Sequence, residues 1–269
     1  MTMQQVDIRP LRIADMPQLS TMLETAFDAS VAPYLTYSQH GIAALLALQL
    51  RHPASFDPKK FYVATLQDQL VGFAEFRLVS PEHGFLCYIC VSDQQRGRGV
   101  AGRLIDRFDT DHPAVRIVDL DVFQHNTTAL RLYEKLGFLY LDHNDWHRRP
   151  LPEGAGEVSI IDLMACAAAF DTYGFCRLQL HRNSLPVMVG RIGSTVLRCF
   201  DVSTFLDDDF LGSVRATFPS LREALVIVPG IRVAEDSNAL VDALAVSSTM
   251  ASIVSHRLRR TAILQDQSR

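Results

Sequence analysis

The feature that most constrains this sequence is a group of three glycines, Gly97, Gly99 and Gly102, between a predicted strand and a predicted helix. The apolar segment 85–91 predicts the strand, and we expect the helix to extend to about Phe108. Glycine lets the backbone approach a bound molecule closely, and the free N–H groups at a helix start face such a molecule. The segment therefore predicts a phosphate-binding turn, with an ordinary glycine-rich turn as the alternative.

The spacing of these glycines also matches the dinucleotide-binding pattern, with Asp119 or Asp121 as the acidic residue downstream. The context of the pattern argues against that interpretation. Dinucleotide glycines follow their strand almost at once, whereas five polar residues separate Val91 from Gly97. A nucleotide-dependent oxidoreductase is therefore the weakest of the functions that the sequence leaves open.

Two segments of the chain resemble the signatures of the GNAT family of N-acetyltransferases. The first, Arg96-x-x-Gly99-x-Ala101, is similar to the acyl-CoA pyrophosphate motif of that family. The second is a predicted strand, then Asn126, then a predicted helix that ends in Tyr133-Glu-Lys-Leu-Gly-Phe. Both segments occur in the family's order and spacing, and the resemblance covers about residues 1–165.

The resemblance implies a mixed α/β sheet, flanked by helices, whose fourth and fifth strands splay. The arm of acetyl-CoA, the cosubstrate, would lie in the gap, and the N–H of Val91 would stabilise an oxyanion there. The residues that the resemblance assigns to acetyl-CoA are Ile89, Cys90 and Val91 for the pantetheine arm, Arg96, Gly97, Arg98, Gly99, Val100, Ala101 and Gly102 for the pyrophosphate, and Asn126 for the cosubstrate or the start of the second helix.

The resemblance also assigns a general acid, Tyr133. A phenol with a pKa of about 10 is protonated at neutral pH and can give its proton to the departing CoA thiolate. The implied reaction is direct attack of a neutral primary amine on the thioester in a ternary complex. A core aromatic side chain on an amphipathic helix is the alternative role of Tyr133.

The general base is where the sequence departs from the family. Many members carry a glutamate early in the fourth strand, where this chain has Phe85-Leu-Cys-Tyr. We assign Glu82 and His83 as candidate bases, with Glu75 and Asp121 as further ones. No dedicated base is needed if the amine loses its proton in a less polar pocket. The absent glutamate also leaves a second hypothesis, a CoA-binding or amine-sensing regulatory module without turnover.

The length of 269 residues favours two domains. We expect residues 1–167 to form the acetyl-CoA-binding domain and residues 168–269 to form a smaller α/β domain. The second region repeats the predicted order strand, turn, strand, strand, helix, strand, helix, which indicates a degenerate copy. It lacks both signatures, so we expect it to bind no CoA and to pack on the first domain, shape the acceptor site or dimerise.

Two elements outside the signatures are also predicted. Val158–Met164 is expected to be a strand, because it is rich in β-branched residues. A long helix is expected from about Asp236 to Leu258. Three arginines, Arg257, Arg259 and Arg260, would then complement the helix dipole in its last turn.

Composition excludes several classes of protein. Lys and Arg number 26 against 30 Asp and Glu, a net charge of −4, which argues against a nucleic-acid partner. No apolar run reaches the ~18 residues of a membrane helix, and the first residues show no secretory signal. The two cysteines of Cys87-x-x-Cys90 would point to opposite faces of a strand, so no metal site is expected. We therefore predict a cytoplasmic N-acetyltransferase that acts on a small-molecule or peptide amine, with a homodimer as a further hypothesis.

Overall fold

The computed structural model describes residues 6–182, 185–230 and 253–262. Contacts divide the chain into two compact units. Unit 1 comprises Met1–Ala26, Leu46–Leu141 and His256–Arg269, and unit 2 comprises Phe27–Leu45 and Asp142–Ser255. Each unit contains strands and helices, which confirms the predicted α/β class. Within the described residues no helix has the length and apolar character to cross a membrane.

The described residues form twelve β-strands and seven α-helices. The strands are β1 (Asp7–Pro10), β2 (Lys59–Leu66), β3 (Gln69–Ser80), β4 (His83–Val91), β5 (Ile117–Phe123), β6 (Leu139–Pro150), β7 (Ile160–Ile161), β8 (Phe175–Arg182), β9 (Leu185–Ile192), β10 (Val196–Cys199), β11 (Glu223–Pro229) and β12 (Ile253–Thr261). The helices are α1 (Met16–Glu24), α2 (Ile42–Arg51), α3 (Val100–Asp111), α4 (Thr127–Lys135), α5 (Leu163–Tyr173), α6 (Val202–Leu206) and α7 (Asp208–Thr217).

The sheet of unit 1 runs in the order β1, β2, β3, β4, β5, β12. Neighbours are antiparallel from β1 to β4, whereas β4 and β5 are parallel and need a crossover, which α3 supplies. One side of α3 is buried, and its Phe108 stacks on Phe76 of β3 with ring centroids 4.0 Å apart. This packing holds α3 against one face of the sheet.

The opposite face of this sheet is lined by side chains that alternate with Phe76. On β3 these are Phe73, Glu75 and Arg77, because successive side chains of a strand point to opposite faces. The register with β4 adds Phe85, Tyr88 and Cys90. We call this surface the α1 face, since α1 contacts β3 on this side.

The sheet of unit 2 runs in the order β6, β11, β10, β9, β8, β7. Here β10 and β11 are parallel, and α6 and α7 lie between them in the chain. Phe205 of α6 and Leu211 and Val214 of α7 are fully buried in the core of this unit. Unit 2 thus repeats the order found in unit 1, where α3 connects the parallel strands β4 and β5. The helix expected after β11 falls mainly on residues 231–252, outside the described residues.

Each unit is assembled from separate segments of the chain. Strand β6 begins in unit 1, and its residues Asn144–Pro150 pair with β11 of unit 2. Most of β12, at the far end of the chain, belongs to unit 1. Both units are therefore discontinuous in sequence, whereas the sequence pattern predicts a single boundary after residue 167. The division into 1–167 and 168–269 stays a prediction about which parts fold independently.

The strand predicted at Val158–Met164 is mostly wrong. Only Ile160–Ile161 is extended, and α5 begins at Leu163. The side chain of Asp162 caps this helix by accepting a hydrogen bond from the backbone N–H of Ala165 at 3.4 Å. The alanines, leucine and methionine that follow are strong helix formers, and they outweigh the β-branched residues before them.

The end of the predicted long helix is also wrong, because Ile253–Thr261 is strand β12. Its arginines do not lie in a helix end. Each one instead forms an ion pair with an aspartate of unit 1: Arg257 with Asp121, Arg259 with Asp119, and Arg260 with Asp109. Ion pairs between residues that are distant in the sequence leave no helical or strand periodicity in the segment itself.

Candidate functional site

The parallel strands β4 and β5 separate at one end. Their pairing runs from His83–Ile117 to Leu86–Leu120. Leu86–Leu120 is the last pair, and strand β4 continues beyond it to Val91 while β5 continues to Phe123. The resulting gap is the splay that the family resemblance implies, and it opens beside the glycine segment.

The glycine segment forms the start of α3. Gly97 and Gly99 have φ values of 73° and 77°, in the left-handed region that favours glycine, and a Cβ at either position would have no atom within 4 Å. The first hydrogen bond of α3 runs from Arg103 N to Gly99 O at 3.1 Å. The N–H groups of residues 100–102 therefore have no acceptor inside the helix, and such a helix start binds anions.

The side chain of Arg96 lies along the same turn. Its Nε donates to the carbonyl oxygen of Val91 at 3.3 Å, and its Nη2 lies 2.8 Å from Oδ1 of Asp93. Arg96 and residues 97–99 are exposed. Together with the helix start, this exposed turn provides backbone donors and a positive side chain for a phosphate group.

A cavity of about 620 Å³ lies next to this turn. One wall is the end of β4, with Cys90, Val91 and Ser92, and the other wall is α1, with Gln18 and Met22 among its residues. The hydroxyl of Ser92 is buried and has no hydrogen-bond partner among the described residues. The end of β4 therefore carries an unused polar atom on a residue that lines this cavity.

Tyr133 lies on α4, which begins at the other side of the gap. Asn126 caps this helix, because its Oδ1 accepts a hydrogen bond from the N–H of Ala129 at 3.1 Å. Burial raises the pKa of Tyr133, so its phenol is protonated at neutral pH. Burial also raises the pKa of Tyr88, and Cys90 and Tyr133 add to that effect. Tyr133 thus lies near Tyr88 of β4, and it packs in the core cluster that contains Phe76 and Phe108.

Residues 22–138 match the family profile described as acetyltransferase (GNAT) family. This part of the chain is a GNAT acetyltransferase domain. A proposed acetyltransferase from Pyrococcus horikoshii has a similar fold over 98% of this chain and 92% of its own, with TM-score 0.60 and 14% identity. The PaiA N-acetyltransferase from Thermoplasma acidophilum, solved with coenzyme A, aligns with 51% of this chain and 92% of its own, with TM-score 0.44 and 18% identity. No protein with a curated description matches the sequence.

The structure brings one group of predicted site residues together in the GNAT domain. Ile89–Val91 form the end of β4, the turn at residues 96–102 leads from it into α3, and Asn126 and Tyr133 lie on α4, which follows β5. Sequence reasoning missed Ser92 and the α1 side of the cavity. Ser92 directly follows Val91, so its position next to the predicted pantetheine segment could have marked it as a candidate. The position of α1 beside β4 is visible only in the fold.

The predicted bases lie at the other end of β4. From His83 to Val91 the strand spans eight residues, about 26 Å in extended conformation. His83 Nε2 lies 3.0 Å from Oδ2 of Asp119, and the Glu82 side chain is exposed. The structure therefore does not bring Glu82 and His83 to the cavity, and the separation arises because a strand cannot fold back on itself.

Gly99 allows a direct test of the turn. Replacing Gly99 by alanine forces an L-residue into a left-handed conformation, which costs about 1–2 kcal/mol. We expect the free energy of unfolding in urea to fall by that amount. Gly102→Ala is the matched control, because Gly102 lies inside α3 and its added Cβ would meet Leu136 at an ordinary 3.7 Å. That control should be neutral or stabilising by up to about 1 kcal/mol, and equal stability of both variants would contradict the account of the turn.

Proposed function

We propose that this protein transfers an acetyl group from acetyl-CoA to a primary amine, by direct attack in a ternary complex. The observation that carries the proposal is the splayed β4–β5 gap of the GNAT domain, with an anion-binding helix start at its mouth. A gap between two strands does not by itself identify the ligand. Gly97 and Gly99, with open space where a Cβ would lie, favour a ligand whose phosphates approach the backbone closely.

The residues that would hold acetyl-CoA fit it chemically. The N–H groups of about residues 98–102 supply donors for a pyrophosphate, and Arg96 adds positive charge. Ile89–Val91 at the end of β4 offer unpaired strand backbone toward the gap, which suits the amides of a pantetheine arm. The unpartnered hydroxyl of Ser92 is a further donor. When bound, acetyl-CoA supplies the activated thioester.

Tyr133 is the proposed general acid. Its phenol is buried, and burial raises its pKa, which keeps the proton on the oxygen across the neutral range. A buried phenol at the gap can give this proton to a sulfur that becomes negative. The N–H of Val91 is the proposed donor to the oxygen that gains charge during attack.

The amine must be neutral to attack. Glu82 and His83 remain predicted bases, although β4 separates them from the cavity by most of its length. A low-polarity site also lowers the pKa of an amine and removes the need for a dedicated base. Burial raises the pKa of Cys90 to about 12, so this thiol at the end of β4 is protonated at neutral pH and does not act as the base.

Unit 2 is proposed to bind no CoA. At the position that corresponds to the glycine turn, Asp201 caps α6 and accepts a hydrogen bond from Thr204 N at 2.7 Å. The next helix starts with Asp207, whose side chain accepts from Phe210 N at 2.9 Å. These carboxylates use the free N–H groups and repel a phosphate. A homodimer, a cytoplasmic location and the lack of nucleic-acid and membrane partners stay predictions.

Binding of CoA is the first test of the proposal. At about 100 times its Kd a ligand adds about 2.7 kcal/mol of stability. For a chain of this size that corresponds to a rise in melting temperature of about 5–10 °C. Pantetheine, which lacks the pyrophosphate, should give a smaller shift, and NADH should give none. An unchanged melting temperature at saturating acetyl-CoA would contradict the proposal, and a shift with NADH alone would favour an oxidoreductase.

A further inference from the structure

Two arginines of unit 2 flank a glycine on one face of its sheet. Gly190 of β9 is the register neighbour of Arg177 on β8 and of Arg198 on β10. Register neighbours point to the same side of a sheet, so both arginines stand on the face that carries Gly190. Neighbouring strands lie about 4.8 Å apart, which places the two arginine Cα atoms about 10 Å from each other. Arginine side chains are long enough for both guanidinium groups to meet one anion above Gly190.

These three positions lie outside the hydrophobic core of unit 2. The residues next to them in the chain, Leu178, Val189 and Leu197, are at most 2% exposed and belong to that core, together with side chains of α6 and α7. Successive side chains of a strand point to opposite faces, so the two arginines are on the side away from this core. Arg177 is exposed and Arg198 is partly exposed. A molecule from outside can therefore reach them.

No acid of this face neutralises the two arginines. In residues 6–182, 185–230 and 253–262 neither side chain has an ion pair or a hydrogen bond, and Nε of Arg198 is buried without an acceptor. Glu223 is the only acid in β8–β11, and it accepts the hydrogen bond of the Tyr34 hydroxyl at 3.1 Å. The two positive charges are therefore left without a partner.

The burial of Arg198 makes this missing partner costly. Burial lowers the pKa of Arg198 to about 10 and outweighs the opposing effect of Cys199. The guanidinium is still charged at neutral pH, but it has lost part of its hydration without gaining a carboxylate. A bound anion would restore the interactions that burial removes.

Phe200 adds an aromatic surface beside the arginines. Its side chain is 49% exposed, and its ring centre lies 5.9 Å from the guanidinium carbon of Arg198. A Cβ at Gly190 would lie 3.5 Å from the Phe200 ring and 3.1 Å from Cβ of Arg198. The glycine therefore leaves room that a larger residue would fill. An exposed ring next to a cation suits a ligand whose anionic group is attached to an aromatic group.

We propose that unit 2 binds an aromatic phosphate monoester, with the phosphate between Arg177 and Arg198 and the aromatic group against Phe200. A phosphate monoester carries nearly two negative charges at pH 7 and three acceptor oxygens, which match two guanidinium groups better than a carboxylate does. All residues of this site belong to unit 2, so the inference is independent of the proposed acetyl transfer in the GNAT domain. It gives unit 2 a ligand of its own.

Calorimetric titration of the full chain with phenyl phosphate tests the site. Saturating CoA is present, so that the anion-binding start of α3 is occupied. Benzoate replaces the phosphate by a carboxylate, inorganic phosphate lacks the ring, and phenol lacks the anion. We expect phenyl phosphate to bind about tenfold or more tightly than benzoate, because charge-assisted hydrogen bonds are lost. Inorganic phosphate should bind about fivefold more weakly, since the ring contact is absent, and phenol should not bind.

Variants assign the binding to the two arginines. Arg177→Met and Arg198→Met should each raise the Kd of phenyl phosphate by about tenfold or more, with the Kd of CoA unchanged. Arg198→Met removes a cation without a counter-ion, so this variant should melt at or above the temperature of wild type. Arg177 is exposed, and its replacement keeps the test valid if Arg198→Met fails to fold. Arg51→Met, at an exposed arginine that ends α2, is the matched control and should bind as wild type does.

Each remaining outcome supports or overturns the inference. Equal affinity of wild type, Arg177→Met and Arg198→Met for phenyl phosphate overturns it, and tighter binding of benzoate overturns the assignment to phosphate. If CoA abolishes the binding of phenyl phosphate and the arginine variants do not, the ligand occupies the start of α3 and the inference is wrong. If CoA does not bind but phenyl phosphate binds through Arg198, the proposed function fails and the inference stands.

Discussion

Replacing Tyr133 by phenylalanine is expected to lower kcat by about 100-fold or more, the usual contribution of a general acid. The substitution removes only the hydroxyl, so the packing of the ring against Phe138, with centroids 5.6 Å apart, is retained. The dissociation constant of CoA should stay within about twofold of wild type, because the proposed pyrophosphate and pantetheine contacts come from other residues. Thiol-release kinetics and calorimetric titration with CoA measure the two quantities separately.

Tyr140→Phe is the matched control for this experiment. Tyr140 is an exposed tyrosine of β6, and its loss of a hydroxyl should leave kcat and CoA binding unchanged. If Tyr133→Phe turns over as fast as this control, Tyr133 is not the acid. If instead CoA binding weakens as much as kcat falls, the hydroxyl contributes to binding and not to proton transfer.

Replacing Arg259 by methionine is expected to destabilise the protein by about 2 kcal/mol. Asp119 is 4% exposed, and Arg259 of β12 donates two hydrogen bonds to it. Removing one partner of a fully buried ion pair costs about 3–5 kcal/mol, and the partial exposure of the Arg259 side chain reduces that cost here. Urea unfolding at pH 7 measures the change.

Two companion variants isolate the charge. Adding Asp119→Asn to Arg259→Met removes the buried charge and should restore more than half of the lost stability. Arg257→Met breaks a more exposed pair with Asp121 and should cost less than about 1 kcal/mol. Equal costs for Arg257→Met and Arg259→Met would contradict the special role of the buried carboxylate.

The pH dependence of the Arg259 variant follows from the pKa of Asp119. Burial raises this pKa, but the hydrogen bonds and charges of Arg259 and His83 outweigh burial and lower it. A carboxyl with a lowered folded-state pKa contributes stability above its unfolded pKa of about 3.9, and the contribution is lost as pH falls through the folded pKa. The stability difference between wild type and Arg259→Met should therefore be constant from about pH 5 to pH 7 and shrink below about pH 4.

The parts of the fold that were predictable from sequence have local causes. The strand expected at residues 85–91 is β4, and α4 begins at Thr127, next to its cap Asn126. It ends just before Gly137, which has a φ of 82°. Each of these features depends on residues within a few positions of one another: the burial pattern of a strand or helix, a capping side chain, and a glycine with positive φ. They can therefore be predicted from the local sequence.

The parts that were not predictable depend on distant residues. Arg257 and Arg259 of β12 meet aspartates of β5 that precede them in the chain by 136 and 140 positions. The cavity wall on α1 and the pairing of Glu75 with Lys59 also require the sheet to be assembled first. For the same reason His83 was a reasonable candidate base from its type and proximity in sequence, although the length of β4 keeps it from the cavity.

The most direct test of the central claim is amine-dependent release of thiol from acetyl-CoA by the full chain, with the acceptor's mass determined in the same reaction. The account predicts one thiol for each acetylated amine, and no release above background without an amine. Binding of CoA without amine-dependent thiol release, across primary amines with and without anionic groups, would contradict it and would favour a CoA-binding module that does not turn over.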